Sequence, residues 1–540
     1  MLLEAADIDL PIFHQPHTKG EALLDELSRG ELTLLNQTAR FDPAQPDWRL
    51  GPQSSNRLWT ITLHYHAWFE ALAAIVATAD SPRAAEASQR IEQLLGHWLT
   101  HVRHDANGAT ALAWNAFAIA TRLGWWLRAG RRLGPAWWQE RPSLHDQWLR
   151  SIWKQAQFLE RRLERDLRAN HLLRDAVGLV TAGRMFDHPV AARWLDEGTA
   201  LALELVHEQV LADGGHYERS PMYHIHVMED VFTLVRLVRD DEARQMLTDS
   251  WRRMAGWLSA MRHPDGEIPL FNDAALHAVM PARQMLLLGG HLGAAVSLDP
   301  PPGLTWHAGT GYAAWHDPAW TIFLDAGSVG PDEQPGHAHA HTLAVEASYR
   351  GERLFVDRGT YHYDHTPQRA ADRATGSHNT VMIDDVDSSE VWHIFRVGRR
   401  ARVHHTEMRQ LDEQRVHMEA THDGYTHLPG GPVHRRELDL EPGHVLHVRD
   451  ELTGTGTHML SGGWLLAPDW TAEPTDHGWI VRHADGHALR MTLIAPHPLI
   501  RTAEPHPYHP EYGRTVATTR LCWRLRCTLP CSIELIVEPD

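Results

Sequence analysis

The chain has 540 residues and a formal charge of −18, with 43% hydrophobic and 22% charged residues. That length exceeds one ordinary core, the composition excludes a disordered polymer, and the acidic balance excludes a generic basic, nucleic-acid-binding surface. Three cysteines, Cys522, Cys527 and Cys531, crowd the last strands and cannot build a disulfide framework, so free thiols are expected.

Residues 1–20 lack a basic start followed by an apolar run, so no secretory signal is read there. No stretch of about 18 uninterrupted apolar residues suggests a membrane span. The compartment expected from sequence alone is therefore the cytoplasm. From about residue 55 to 295 the apolar period is helical: Ile91, Leu94, Leu95, Trp98 and Leu99 recur at three and four, as do Val227, Val231, Leu234, Val235 and Val238. Breaks at Asp105–Gly108, Arg141-Pro142, His188-Pro189 and Asp213–Gly215 cut this region into serial hairpins of the kind that build a solenoid or incomplete toroid.

Leu298-Asp-Pro-Pro-Pro-Gly303 then ends the helical pattern as a stiff linker. Beyond it the period falls to two, as in Trp320–Leu324, Leu343–Tyr349 and Ile533–Val537, with turn signals at Arg350-Gly351, Gly430-Gly431 and Gly462-Gly463. The expected organisation is multidomain α+β: a helical domain over 1–297, a linker over 298–303, and antiparallel sheets over 304–540.

Chemistry-bearing residues gather in a few places. Gly336-His337-Ala338-His339-Ala340-His341 sets three imidazoles at spacing two, on one face if the segment is extended. Asp357 and His378 follow within forty residues, and neutral imidazole with carboxylate is a donor set that suits zinc. Arg168-Ala-Asn170-His171 places an amide beside an imidazole. Asp213-Gly-Gly-His-Tyr217 through Tyr223-His224 sets two tyrosines after a glycine-rich bend. Trp114 through Arg122 and Trp125 offers aromatic and guanidinium groups on a helix. Taken singly, Asn170 reads as a helix cap, Tyr223 as a core ring with a bonded hydroxyl, and Trp114 as core.

Together these strings resemble the heparinase II/III family of polysaccharide lyases, from about Leu58 to Tyr425. The matching strings are Leu58-Trp59 with Leu63-His-Tyr65, Asn170-His171-Leu172, Asp213-Gly-Gly with Ser220-Pro-Met-Tyr223-His224, and Asp265-Gly266 with Pro269. They continue with Gly336-His-Ala-His339, Val356-Asp357-Arg-Gly-Thr-Tyr361, Ser377-His-Asn-Thr380, Asp387-Ser-Ser-Glu390 and His422-Asp-Gly-Tyr425. The resemblance implies an N-terminal incomplete (α/α) toroid followed by an antiparallel β-sandwich. It implies β-elimination on a uronic-acid-containing polysaccharide, heparan-like or an exopolysaccharide. Residue by residue it implies Asn170 as the amide that neutralises the uronate carboxylate with His171 beside it, Tyr223 as proton carrier, and His337 lining the site. His339, Asp357 and His378 would hold one structural zinc. Trp114, Arg122, Arg219, His224 and Tyr361 are the expected substrate contacts. The partners expected are an acidic polysaccharide or oligosaccharide, with neither nucleic acid nor membrane, and a homodimer is compatible with the pattern. Family resemblance also makes a periplasmic setting compatible.

The chemistry explains those residue types. The C5 hydrogen of a uronate is a very weak acid while its carboxylate stays negative. Hydrogen bonds from Asn170 and His337 would spread the developing charge into that carboxylate. A phenol, ordinarily titrating near 10, serves as base only where nearby cations favour the phenolate. Arg168, Arg219, Arg122 and a protonated histidine are the candidates for that bias. Once protonated, Tyr223 can return a proton to the glycosidic oxygen. His171 is the alternative base for substrates of the opposite C5 configuration.

A two-residue hairpin turn in Arg350-Gly-Glu-Arg353, with Arg350 opposite Arg353, would set Asp357 opposite Glu346, leaving His339 roughly 23 Å along the partner strand at ~3.3 Å per residue. A shared zinc therefore requires the 336–341 segment to bend back over the sheet, or the turn to be different. His341 also stands where family members often carry aspartate. Two other readings fit the same residues: a uronyl C5-epimerase, which shares the proton abstraction, and a non-catalytic acidic-glycan-binding protein.

Overall fold

The computed structural model describes residues 16–49, 57–78, 82–106, 108 and 111–540. The N-terminal stretch read above as leaderless lies in part, over 1–15, outside the described residues. Two compact units divide the chain, the first comprising 1–209, 226–251 and 362–364, the second 210–225, 252–361 and 365–540.

The first unit is helical. In the helix Pro82–His101 the residues Ile91, Leu94, Leu95 and Trp98 are all buried, one apolar stripe as their spacing predicts. The helix Ala116–Gln139 starts where the Asn115 side chain accepts from the Ala118 N–H, and it kinks at Gly134, whose φ is 73°, just before Pro135. Its core uses histidines in an unusual way. The indole N–H groups of Trp48, Trp98 and Trp126 donate to Nδ1 of His97, His64 and His66 at 2.9, 3.2 and 2.9 Å. An indole only donates, so each imidazole presents Nδ1 as an acceptor.

The second unit holds three larger antiparallel sheets. Five strands run in chain order as a meander: Gly303–His307, Tyr312–His316, Trp320–Asp325, Val345–Tyr349 and Glu352–Phe355. A four-stranded sheet takes the order Ile500–Tyr508, Val516–Thr528, Thr457–Leu465, Val381–Ile383. An eight-stranded sheet begins with Val403–Gln410, Val416–His422, Val433–Glu441 and Val445–Thr453, and the C-terminal strand Cys531–Pro539 sits in its middle. Along Val433–Glu441 buried and half-buried residues alternate, one face inward. The strands Tyr312–His316 and Trp320–Asp325 are buried at every position, so both their faces are covered.

The division of the chain falls earlier than the proline-rich linker. Trp257, Met261 and Phe271 pack with Tyr312, Ala314, Phe323 and Ala344 in one core, so the segment after residue 252 joins the sheets. Its apolar residues are helical in spacing, but the surface they cover is a sheet. Cys527 and Cys531 are buried free thiols and Cys522 is a half-buried one. Among the described residues no helix is long and apolar enough to cross a membrane.

Burial lowers the pKa of several imidazoles: His64, His224 and His506 to about 3, and His216, His307 and His316 to about 4. The unfolded chain takes up these protons near pH 6.5, so stability is full above that value and lost as pH falls toward 4. Three carboxyls pushed up by burial, Asp175 and Glu346 to about 8 and Asp230 to about 7, act in the opposite sense. The histidines are more numerous, each worth up to ~1.4 kcal/mol per pH unit. The urea midpoint is expected to fall from pH 7.5 to pH 5; a flat or rising midpoint would contradict this balance.

Candidate active site

Tyr223 lies in the first turn of the helix Pro221–Leu237. Ser220 caps that helix: its Oγ accepts from the Tyr223 N–H at 3.2 Å, and Pro221 follows at the first helical position. The approach to the cap is held by the Asp213-Gly214-Gly215 bend. A Cβ on Gly214, whose φ is 87°, would lie 2.2 Å from the Arg253 carbonyl, and one on Gly215 2.3 Å from Thr310. Asp213 accepts from the Thr310 N–H at 2.7 Å and from the Gly215 N–H at 3.0 Å.

The half-buried Tyr223 ring stacks on His337, centroids 3.8 Å apart and planes 23° from parallel. His337 Nδ1 lies 3.0 Å from Asp273 Oδ2, and its Nε2 lies 3.6 Å from Glu218 Oε2. Asp273 is fully buried. Burial alone would push its carboxyl up, but the Arg369 guanidinium and hydrogen bonds from His337 and His339 hold it well below the usual carboxylate range. Arg369 donates to both of its oxygens, from the Nη2 side at 2.8 Å.

The 336–341 segment is not extended. The three imidazoles part company because the backbone turns repeatedly. The Ala344 N–H bonds back to the His341 carbonyl, and Leu343 takes a φ of 65°. His337 goes to Tyr223 and Asp273, His339 to Asp273, and His341 Nε2 to within 3.1 Å of Asp325. The bend required for His339 to approach Asp357 is present, and distant side chains hold it: Asn272 Oδ1 accepts from the His339 N–H, and Arg373 and Thr375 donate to the Ala338 and Ala340 carbonyls.

Behind it, the rings of His339, His341 and His378 lie 5.2–6.0 Å apart. His378 Nδ1 is 2.7 Å from Asp357 Oδ2, which also has the Gly359 N–H on its other oxygen at 3.1 Å. His339 Nδ1, His341 Nε2 and His378 Nε2 are buried without a hydrogen-bond partner. Burial lowers the pKa of His339 to about 3 and lowers that of His341, so both rings are neutral at pH 7. His339 Nδ1 and His378 Nε2, without hydrogen-bond partners beside the buried Asp357 carboxylate, are donor types that fit a zinc set, while His341 Nε2 faces Asp325. Spacing is looser than the chemistry: among the described residues, only His405, Glu407 and Glu419 bring three donor atoms within 4.8 Å of one another.

Asn170 and His171 belong to the first unit, in the opening turn of the helix Ala169–Gly183. Arg168 and Ala169 before them take φ values of 54° and 49°, a tight entry that ends in a buried amide. His171 is half-buried, 3.0 Å from Glu164 and 4.7 Å from the Phe117 ring.

Three expected substrate contacts are placed otherwise. Arg122 is 0% exposed, and its guanidinium donates to Gln155 and to the carbonyls of His64 and Ala113. Trp114 is buried against Phe158, with its N–H on the Val102 carbonyl. His224 is buried on Trp257 and bonded to the Met254 carbonyl and the His216 N–H. In each case the polar atoms are spent inside the unit, so these are packing residues. Arg219 is partly exposed, but its guanidinium donates to the Thr310 and Gly330 carbonyls. Tyr361 is half-buried beside the His509 ring. Sequence reading missed Asp273, Arg369 and Glu218. Asp273 follows the Asp265–Pro269 string by four residues, but nothing distinguishes it from the other acidic residues until the chain is folded.

Two family models cover the chain, Heparinase II/III N-terminus over 36–286 and Heparinase II/III-like, C-terminal over 299–535. The chain belongs to the heparinase II/III family. It is 22% identical over 514 residues to a heparin-sulfate lyase of Bacteroides stercoris, covering 85% of this chain and 72% of that protein. A heparin-sulfate lyase of Bacteroides thetaiotaomicron is 22% identical over 247 residues, 42% of this chain; there the match spans only 34% of the relative's length. The crystal structure of heparinase III superimposes with a TM-score of 0.77 at 16% identity, covering 99% of this chain and 86% of that one. As a heparinase II/III member, the chain carries that fold: an incomplete (α/α) toroid followed by antiparallel sheets.

Proposed function

We propose that this chain is a polysaccharide lyase that cleaves a uronic-acid-containing glycan by β-elimination. The observation that carries the reading is the Tyr223 phenol stacked on His337, with that imidazole tied through Nδ1 to a buried, ionised Asp273. A carboxylate only accepts, so His337 Nδ1 carries hydrogen and its ring is oriented before substrate arrives. In this reading Asn170 and His337 neutralise the uronate carboxylate, Tyr223 takes the C5 proton, and the same hydroxyl protonates the departing glycosidic oxygen. His171, paired with Glu164, serves as base for the opposite C5 configuration. Heparin-sulfate lyases among the relatives support elimination over epimerisation.

His339, Asp357 and His378 would hold one zinc, whose charge would cross-link the bent 336–344 segment to the strands behind it and neutralise Asp357. It has no part in the proton transfers.

The test is a screen of the purified protein against heparan, hyaluronan, alginate and bacterial exopolysaccharides. Elimination creates a conjugated uronate that absorbs in the ultraviolet. Solvent hydrogen exchange at C5 without that absorbance would establish the epimerase instead. Tight binding with neither product nor exchange would leave a binding protein.

A further inference from the structure

We infer that Asp273 is a positioning residue that one carboxylate shares between two imidazoles, fixing which nitrogen His337 offers to Tyr223 and substrate and which His339 offers to the histidine cluster behind it.

Everything that meets this carboxylate is a donor. His337 Nδ1 approaches Oδ2 at 3.0 Å, His339 Nε2 approaches Oδ1 at 2.9 Å, Arg369 reaches both oxygens, and Thr360 Oγ1 lies 3.4 Å from Oδ1. An ionised carboxylate has about four acceptor positions and no hydrogen to give. The two rings are therefore pinned in opposite senses, His337 with hydrogen on Nδ1 and His339 with hydrogen on Nε2. The consequence for His339 is visible: its Nδ1 is a buried lone pair with no hydrogen-bond partner, on a ring 5.4 Å from His378 and 6.0 Å from His341. The consequence for His337 is that Nε2 is the nitrogen turned away from Asp273, 3.6 Å from Glu218 Oε2, on the ring that stacks on Tyr223.

Asp273 also fixes the positions of both partners through its backbone. Its N–H donates to the His337 carbonyl at 2.9 Å, and its carbonyl accepts from Ser220 Oγ at 2.6 Å, the side chain that caps the Tyr223 helix. One residue thus touches the helix start that carries the phenol, the main chain and ring of His337, and the ring of His339. Arg369 prevents the carboxylate from turning. Its guanidinium is buried, and it is itself held by two bonds to the Ile394 carbonyl at 3.2 and 3.0 Å. A plain structural ion pair would need only the Asp273–Arg369 contact. The two imidazoles on the same carboxylate are what a positioning role adds.

The kinetic part of this inference rests on the lyase reading, whereas the ring-hydrogen part does not. Ring-nitrogen NMR of the full chain labelled at histidine, with His337 and His339 signals assigned by loss in His337→Gln and His339→Gln, decides the second part on the unaltered protein. Hydrogen is expected on Nδ1 of His337 and on Nε2 of His339, with Nδ1 of His339 bare or metal-bound. Either ring in the reverse form overturns the inference. Asp273→Asn, the same shape with one acceptor oxygen replaced by a donor, is expected to lower kcat about 10- to 100-fold with KM little changed. A folded variant with wild-type kcat overturns it as well. If that variant does not fold, the NMR result stands as the test. If the wild type makes no unsaturated product from any uronate glycan, the lyase reading falls while the ring assignment is still decided.

Discussion

Tyr223→Phe is expected to lose about 10³-fold in kcat on whichever uronate glycan the wild type cleaves, within the range measured for a single acid–base group. Glycan affinity and thermal stability should barely move. The substitution removes only the hydroxyl: the phenyl ring can keep its stacking on His337, 3.8 Å between centroids, and the helix keeps its Ser220 cap. Ring stacking and orientation are worth about 1 kcal/mol, whereas in the proposed mechanism the missing oxygen would be both the acceptor of the C5 proton and the donor to the leaving group. Stopped ultraviolet assays with calorimetric binding separate the two contributions. A wild-type rate in the folded variant would remove Tyr223 from the chemistry. A variant that loses turnover on glucuronate-linked glycans yet keeps it on iduronate-linked ones would instead assign the second class to His171, whose imidazole is steadied by Glu164 at 3.0 Å.

The readable part of this molecule was the part governed by local periodicity and turn chemistry. The stripe Ile91–Trp98 is buried as its spacing requires, and the turn signal Arg350-Gly351 does mark a turn, but the pairing is Tyr349 with Glu352 and not the expected Arg350 with Arg353. The site depends on what happens just beyond such regularities. A bulge shifts the pairing to Ala347–Phe355, so Asp357 leaves the ladder that a plain hairpin would have kept it in. The histidine segment is bent by Asn272, Arg373 and Thr375, residues 35 to 67 positions away in the chain. No local pattern carries that information. Trp114, Arg122 and His224 show the complementary failure. Their types suit sugar binding, but a side chain's type does not say whether its donors are already satisfied inward. Arg122, which gives its guanidinium to two carbonyls and an amide, looks the same in sequence as an arginine waiting for a carboxylate.

His378→Ala is expected to abolish stoichiometric zinc and to destabilise the strand-rich unit by about 3–5 kcal/mol, the cost of removing one partner from a buried charged pair. His378 is a cleaner choice than His339, because His339 also binds Asp273 and through it reaches His337. The imidazole of His378 is fully buried, 2.7 Å from Asp357, and its Nε2 has no hydrogen-bond partner. Asp357 is buried too, and the neighbouring imidazoles His378, His341 and His339, with the Gly359 N–H on its other oxygen, offset the burial that would raise its carboxyl. A divalent cation would satisfy the orphaned nitrogens and the carboxylate together, which is why metal and stability should be lost together. Elemental analysis and thermal melts with and without chelator provide the measurement. Chelation is expected to lower the melting point of the wild type and to leave the variant unchanged. Full zinc content in the variant, or an equal chelator effect on both proteins, would show that the ion is held elsewhere, with the His405, Glu407 and Glu419 group as the next place to look.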